Sequence, residues 1–125
     1  MGDESNRAAN VYGDAITTCS TAPMTGFFRD GCCNTGGEDL GLHLVCVQVD
    51  ANFLEYSKSV GNDLSTPMLQ YGFAGLVPGD RWCLCVTRWK DALQAGAAPP
   101  VVLDACHLLA LEWVTLDELE SHAVQ

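Results

Sequence analysis

The spacing of apolar and polar positions changes along the chain and predicts where regular structure begins. Residues 11–42 are rich in glycine and keep neither helical nor strand periodicity, which predicts a first long loop. Residues 43–49 are almost continuously apolar and predict a buried strand. Asp50 can cap a helix over residues 51–60, and Gly61 is placed to end it.

The second half of the chain predicts further short elements. Residues 61–80 form a second long loop with a Pro-Gly turn signal, and residues 81–86 then predict a strand. A helix over residues 87–95 ends at Gly96. Two more apolar runs predict a third strand at 101–106 and a fourth at 109–114. Thr115 and Glu118 match a capping box for a final helix from Leu116 to about His122.

We therefore predict an α+β fold in a single globular domain over residues 11–125, preceded by a flexible tail at 1–10. The domain has a small mixed or antiparallel sheet of three to four strands, about three short helices and two long ordered loops. A chain of 125 residues can form a hydrophobic core without covalent staples. Long ordered loops in compact domains are commonly functional.

The charge balance excludes several classes of partner. Six Lys and Arg residues stand against sixteen Asp and Glu residues, so the formal net charge is −10. Nucleic acids and anionic membrane surfaces require clustered basic residues, so we expect neither as a partner. The acidic residues are dispersed, which favours a solvated surface over a docking patch, and a high-salt host is one hypothesis for them. An acidic module that binds a basic protein is the alternative.

The N-terminus is polar and has no apolar segment of the secretory kind, which predicts a soluble, cytoplasmic protein. In that compartment the seven cysteines are expected to be reduced, and their odd number fits this expectation. Cys83 and Cys85 would share one face of a strand, either as core residues or as metal ligands. Their apolar neighbours favour the core.

The chain contains no Cys-x-x-Cys knuckle of the classical zinc kind. A dispersed set of Cys and His residues could still converge on one zinc or iron ion, which is the candidate cofactor. The candidate ligands are Cys32, Cys33, His43, Cys46, Cys83, Cys85 and His107. A pocket for a small molecule or metal would then be lined by the loop at 26–43 and by the strand that carries Cys83 and Cys85.

The Cys32-Cys33 pair suggests a different chemistry. It lies in a glycine-rich polar loop directly after Arg29 and Asp30, and a loop cysteine near an arginine is a candidate reactive thiolate. The alternative hypothesis is therefore a thiol-dependent enzyme or redox protein with Cys32, Cys33, Arg29 and Asp30 as candidate catalytic residues. The same two cysteines could instead fold inward and fill the core.

Three long motifs resemble the domain-of-unknown-function family 2237, a group of small and mainly bacterial proteins. They are TGFFRDGCCNTG at 25–36, GNDLSTP at 61–67 and PGDRWCLC at 78–85. The resemblance extends from about Asn10 to the C-terminus and implies no specific activity. The chain departs from the family pattern at Cys106, where Thr is usual, and at Ala74, where Pro is usual. The residues that match the characteristic set of the family are Cys32, Cys33, Asp39, His43, Cys46, Trp82, Cys83, Cys85, Arg88, Trp89 and His107.

Overall fold

The computed structural model describes residues 8–124, with the backbone alone at Tyr71. Within this range the fold is mixed α and β, with two strands and three α-helices. Their order is β1 (Val45–Gln48), α1 (Ala51–Ser59), β2 (Arg81–Leu84), α2 (Val86–Gln94) and α3 (Leu116–Glu120). Three short 3₁₀ segments lie between them, at Leu69–Tyr71, Leu103–Ala105 and Leu108–Glu112. Across residues 8–124, no helix has the length and apolar character that crossing a bilayer requires.

The sheet consists of β1 and β2, which pair antiparallel with Val45 opposite Leu84 and Cys46 opposite Cys83. The prediction of three to four strands is therefore wrong for the described residues, which form two. Strands of four residues make a small sheet that needs packing from other segments for stability. Helices α1 and α2 each follow one strand directly and pack against each other.

The predicted third strand fails because its segment makes only a broken contact with β1. Val101 forms a single bridge with Val47, and the Val102 amide donates to the Cys46 carbonyl at 2.9 Å. The preceding Pro100 has no amide hydrogen to extend the ladder. The chain then tightens into the 3₁₀ segment Leu103–Ala105, so it covers the free edge of β1 without becoming a strand.

The predicted fourth strand is a 3₁₀ segment, Leu108–Glu112. Its sequence, LLALE, consists of strong helix formers, and this local preference outweighs the apolar run that suggested a strand. The ring of His107 precedes the segment and accepts a hydrogen bond from the Leu109 amide at 3.0 Å. His107 thus acts as the cap of this turn.

The predicted helices are confirmed in position, and their caps match the sequence signals. The Asp50 side chain accepts from the Phe53 amide at 2.8 Å, and Gly61 adopts a φ of 90° just beyond the end of α1. Both bonds of the capping box between Thr115 and Glu118 are present at α3. These local signals work because they depend on a few neighbouring residues only.

Two disulfide bonds cross the core, which corrects the expectation that all seven thiols are reduced. Cys19 is bonded to Cys46, and Cys33 is bonded to Cys83. Cys46 and Cys83 are cross-strand partners, so their side chains share one face of the sheet, and each takes a cysteine from the first long loop. The long loop, which lacks helix and strand, is thereby fastened to both strands.

Residues 8–10 of the predicted tail are hydrogen-bonded to the rest of the fold. Asn10 is buried, forms a bridge with His107, and donates its side-chain amide to the Asp104 carbonyl at 3.1 Å. The Leu108 amide donates to the carbonyl of Ala9 at 2.9 Å. The remainder of the predicted tail, residues 1–7, lies outside the described residues.

Candidate functional site

A buried carboxylate, Asp39, organises the chain just before β1. The side chain of Asp39 is completely shielded from solvent, and it accepts three hydrogen bonds. The Thr35 hydroxyl and the His43 amide each bond to Oδ2 at 3.0 Å, and the His43 ring Nδ1 lies 2.7 Å from Oδ1. A buried charge is tolerated when it is paired and hydrogen-bonded in this way.

These contacts fix the charge of Asp39. Burial alone would raise the pKa of this carboxyl, but the hydrogen bonds from the His43 amide, the His43 ring and the Thr35 hydroxyl outweigh burial and lower its pKa below the ordinary value. Asp39 is therefore a carboxylate at neutral pH. The adjacent Nδ1 of His43 must then carry the hydrogen, so the unprotonated nitrogen of a neutral ring is Nε2.

The ring of His43 is held from two sides. It stacks on Phe27 with centroids 6.4 Å apart, and it lies so close to Gly41 that a Cβ there would sit 2.8 Å from its Cε1 atom. The intervening Leu42 adopts a φ of 51°, a left-handed conformation that is uncommon for a residue with a side chain. Thirty-nine percent of the His43 side chain remains exposed, so the ring is oriented and still accessible.

A free cysteine, Cys85, lies across the sheet register from the residue that follows this histidine. With Val45 opposite Leu84, continuing the pairing places Leu44 opposite Cys85, and the Val86 amide donates to the Leu42 carbonyl at 3.0 Å. Cys85 follows β2 and occupies the N-cap position of α2. Cys85 is partly exposed, and its sulfur lies 3.1 Å from the Thr87 hydroxyl.

His43 and Cys85 line the same pocket, whose volume is about 410 Å³. This His43–Cys85 pocket combines apolar walls with a few polar groups, as small-molecule sites commonly do. It lies where the start of β1, the end of β2, the first turn of α2 and the loop after α1 come together. Its lining residues are Gly41, His43, Asn62, Leu64, Trp82, Leu84, Cys85 and Arg88.

The first turn of α2 adds backbone donors beside Cys85. The initial amides of any α-helix have no acceptor within the helix. In α2 the Val86 amide is used by the Leu42 carbonyl, and Cys85 provides no side-chain cap. Among the described residues, the amides of Thr87 and Arg88 therefore remain available to a bound group, and negative charge is favoured at this end of the helix.

Comparison with known proteins supports the assignment of a family. A family model described as "Uncharacterized protein conserved in bacteria (DUF2237)" matches residues 9–123. The chain belongs to this family. The resemblance seen in the sequence motifs is thus confirmed over nearly the whole chain, and the pocket lies inside the matched region. A search of curated proteins returns no match.

The Cys32-Cys33 loop of this DUF2237 protein does not assemble the predicted thiol site. Cys33 is buried in its disulfide with Cys83, and the thiol of the free Cys32 makes a long contact of 3.9 Å with the Thr18 hydroxyl. Asp30 accepts from the Cys32 amide and the Asn34 side chain, which shapes the loop. Arg29 extends over the Trp82 ring, 5.3 Å from its centroid.

The seven candidate metal ligands are distributed over several places. Three sulfurs, those of Cys19, Cys33 and Cys46, lie within 4.8 Å of one another, and Cys19 was outside the predicted set. All three sulfurs are in disulfides, and a disulfide sulfur is not the thiolate that binds a metal. Cys32 is separate in its loop, as described above, whereas His43 and Cys85 share the pocket.

The remaining candidate ligand, His107, lies at the cap of the 3₁₀ turn beside the free Cys106. Burial raises the pKa of the Cys106 thiol to about 12, so this cysteine stays protonated at neutral pH. Burial also lowers the pKa of His107. Both groups are neutral at pH 7; Cys106 is a core residue, His107 is half-buried, and neither lines the His43–Cys85 pocket.

The sequence of this DUF2237 protein indicates His43 and Cys85 only as members of a candidate metal set. The pairing of His43 with Asp39 has one local signal, an acid and a base four residues apart. Arg88 is indicated only by the family resemblance, and Trp82 by that resemblance and as an apolar neighbour of Cys83. No local signal could show that they would meet, because the loop geometry and the sheet register together bring them to one pocket.

Proposed function

We propose that the His43–Cys85 pocket is the site of a thiol-dependent enzyme acting on a small acyl compound. The observation that carries the proposal is the 2.7 Å contact between His43 Nδ1 and Asp39 Oδ1, in a histidine that shares its pocket with the free Cys85. A nucleophile, a base and a group that orients the base are the three parts of covalent acyl transfer.

In the proposed first step, the Cys85 thiol transfers its proton to Nε2 of His43, and the sulfur attacks the acyl carbon of the substrate. The leaving group departs with that proton, which forms a thioester on Cys85. In the second step, His43 takes a proton from water, and the hydroxide attacks the thioester. The acid product leaves, and the proton returns to the Cys85 sulfur.

Asp39 acts in this scheme as a positioning residue. Its carboxylate holds the ring tautomer that leaves Nε2 free and stabilises the imidazolium that forms when the thiol is deprotonated. The amides of Thr87 and Arg88 are suited to the negative oxygen that develops during attack, because pre-oriented donors at such a position lower the barrier of acyl transfer.

Alkylation by iodoacetamide, followed by mass spectrometry of the peptides, tests the nucleophile. We expect Cys85 to react at least about tenfold faster than Cys32, and His43→Gln to slow Cys85 by roughly a hundredfold without changing Cys32. Cys32→Ser is the matched control and should leave the rate at Cys85 unchanged. Equal rates at the two thiols, or no effect of His43→Gln, would contradict the proposal.

Elemental analysis of the purified protein tests the competing metal pocket. Stoichiometric zinc or iron that is lost on Cys85→Ser would assign the pocket to a metal and overturn the proposed nucleophile. A metal-free protein with a fast Cys85 thiol is the result we expect.

The cytoplasmic location remains a prediction. The two disulfides are the observation that bears on it, because disulfides are rare in reducing compartments. Thiol titration of protein trapped by acid in intact cells would count three free thiols if both disulfides form in the host. Seven free thiols would show that the reduced form is the native one.

A further inference from the structure

Among the residues that the structure describes, Arg88 is the one permanently charged side chain in the lining of the His43–Cys85 pocket. It lies on α2, one turn after Cys85, and also borders a smaller neighbouring cavity together with Asp91. Among residues 8–124, no carboxylate oxygen lies within 4.0 Å of its guanidinium group, Asp91 included. The charge thus borders the pocket and has no carboxylate partner in the described part of the chain.

An unpaired arginine is notable in this protein because cations are scarce. The chain has six Lys and Arg residues against sixteen acidic ones, and the general field repels anions. A local cation inside a partly enclosed pocket reverses that field over a short distance. The planar guanidinium fork matches the two oxygens of a carboxylate, and such charge-assisted pairs are the stronger hydrogen bonds.

The other lining residues and the volume of the pocket indicate the size and polarity of the ligand outside its charged group. Leu64, Leu84 and the Trp82 ring provide apolar surface, and Asn62 provides one neutral polar side chain. A volume of about 410 Å³ suits a small molecule. Within residues 8–124, no acidic residue that would repel an anion lines the pocket.

We infer that the substrate of this site is a small organic carboxylate, held by Arg88 with its reactive carbon near Cys85. The inference rests on the proposed function, since Cys85 is taken as the reacting thiol. Arg88 would bind the non-reacting carboxylate, and Trp82 with the two leucines would cover the apolar part of the molecule.

Two alkylating reagents of similar size test the inference, because iodoacetate carries a carboxylate and iodoacetamide does not. In either reaction the thiolate sulfur displaces iodide from the CH₂ carbon. We expect the ratio of iodoacetate to iodoacetamide rates at Cys85 to exceed the same ratio at Cys32 by about tenfold, the value of one charge-assisted hydrogen bond. Arg88→Gln should remove this preference, so that the rate ratio at Cys85 falls to the ratio at Cys32.

Lys90→Gln is the matched control, since Lys90 is an exposed cation on the same helix and does not line the pocket. It should leave the preference intact. If Cys85 is fast with both reagents but shows the same rate ratio as Cys32, the carboxylate inference is overturned while the proposed nucleophile stands. The carboxylate inference would also be overturned if inorganic phosphate, and not benzoate, protected Cys85 from alkylation.

Calorimetric titration with benzoate tests the anion site independently of the reactivity of Cys85. Binding by the wild-type protein that Arg88→Gln abolishes supports the anion site even if Cys85 proves unreactive, in which case only the proposed function fails. The absence of benzoate binding, together with equal reagent ratios at Cys85 and Cys32, rejects the inference.

Discussion

The Nδ1 atom of His43 donates a hydrogen bond of 2.7 Å to Oδ1 of Asp39, and both residues lie in a segment without helix or strand. The backbone amide of the same histidine bonds to the other carboxylate oxygen. One carboxylate therefore fixes both the ring and the backbone at the start of the sheet. A loop usually gives poor precision to a functional side chain, and this double contact provides the precision here.

We predict that Asp39→Asn impairs both stability and the reactivity of Cys85. The asparagine side chain has a single acceptor oxygen and no negative charge, so it cannot accept all three hydrogen bonds that Asp39 accepts. The free energy of unfolding should therefore fall by about 1–3 kcal/mol. Alkylation of Cys85 by iodoacetamide should slow about tenfold or more, because His43 loses its orienting partner. Chemical denaturation and peptide mass spectrometry measure the two effects.

Thr35→Val is the control for Asp39, because it removes one hydrogen bond to the carboxylate and leaves His43 paired. It should cost stability with little change at Cys85. The lowered pKa of Asp39 also gives a pH signature: its stabilisation is present above the ordinary Asp value of about 3.9 and is lost as the pH falls through the lowered pKa. Asp39→Asn should remove that acid-dependent loss. Unchanged Cys85 rates in a folded Asp39→Asn protein would exclude Asp39 from positioning the ring.

Gly41→Ala should displace the His43 ring without disrupting the fold. The added Cβ would lie 2.8 Å from Cε1 of the ring, which is closer than atoms in proteins approach, so the ring must move. The rate of Cys85 alkylation should fall severalfold, as expected when a catalytic base is misplaced. Gly37→Ala is the matched control, since a Cβ there meets nothing within 4 Å. Similar rates for the two variants would mean that the ring position does not matter.

Removal of the disulfides should reveal how much of the stability they provide. Loop-closure entropy predicts a loss of about 3.5 kcal/mol for the Cys19→Ala, Cys46→Ala pair and about 4 kcal/mol for the Cys33→Ala, Cys83→Ala pair. The second loss is larger because that bond spans 50 residues and the first spans 27. Denaturant unfolding with and without a reductant measures both. A midpoint that does not move on reduction would contradict the prediction, and Cys32→Ala should leave it unchanged.

His107→Asn should make stability less sensitive to mild acid. Burial lowers the pKa of His107 in the folded protein, so the unfolded state binds the proton more readily. The folded state is therefore favoured above the unfolded pKa of about 6.5, and the advantage is lost as the pH falls through the lower folded value. Asparagine can still accept the hydrogen bond at this cap position but does not titrate.

Unfolding of wild-type and His107→Asn proteins at about pH 7.5 and about pH 5.5 checks this sign, since the two values bracket the ordinary histidine pKa. The wild-type protein should lose more stability than the variant between the two conditions. An equal loss in both proteins would show that His107 does not contribute to the acid sensitivity.

Local sequence signals predicted the helices well and the sheet poorly, for a physical reason. A cap such as Asp50 or the box formed by Thr115 and Glu118 is complete within four residues, so the sequence contains the whole interaction. Whether Val101 starts a strand depends on the edge of β1 and on two preceding prolines. That contact is made across more than fifty residues, and no short pattern encodes it.

The sequence indicates individual residues of the candidate site, but it does not show that they lie in one pocket. The sequence indicates a core residue or a metal ligand at Cys85, and its neighbour Cys83, which has the same spacing signal, is locked in a disulfide. Only the fold separates the two: Cys83 points to the loop cysteines, whereas Cys85 lies past the end of β2 at the helix start. The loop residues Cys32 and Cys33 are predicted to be functional because polar loops commonly carry function. In the structure, Cys33 is instead buried in a disulfide bond with Cys83.

The two disulfides overlap along the chain, because Cys33 lies between Cys19 and Cys46, and Cys46 lies before Cys83. Every peptide bond from residue 19 to residue 83 is therefore enclosed by at least one covalent ring. A protease that cuts once in the exposed loop at 61–80, or once between residues 20 and 42, cannot release a fragment while the disulfides persist. Such a nicked chain would keep Asp39, His43, Cys85 and Arg88 within a single covalent molecule.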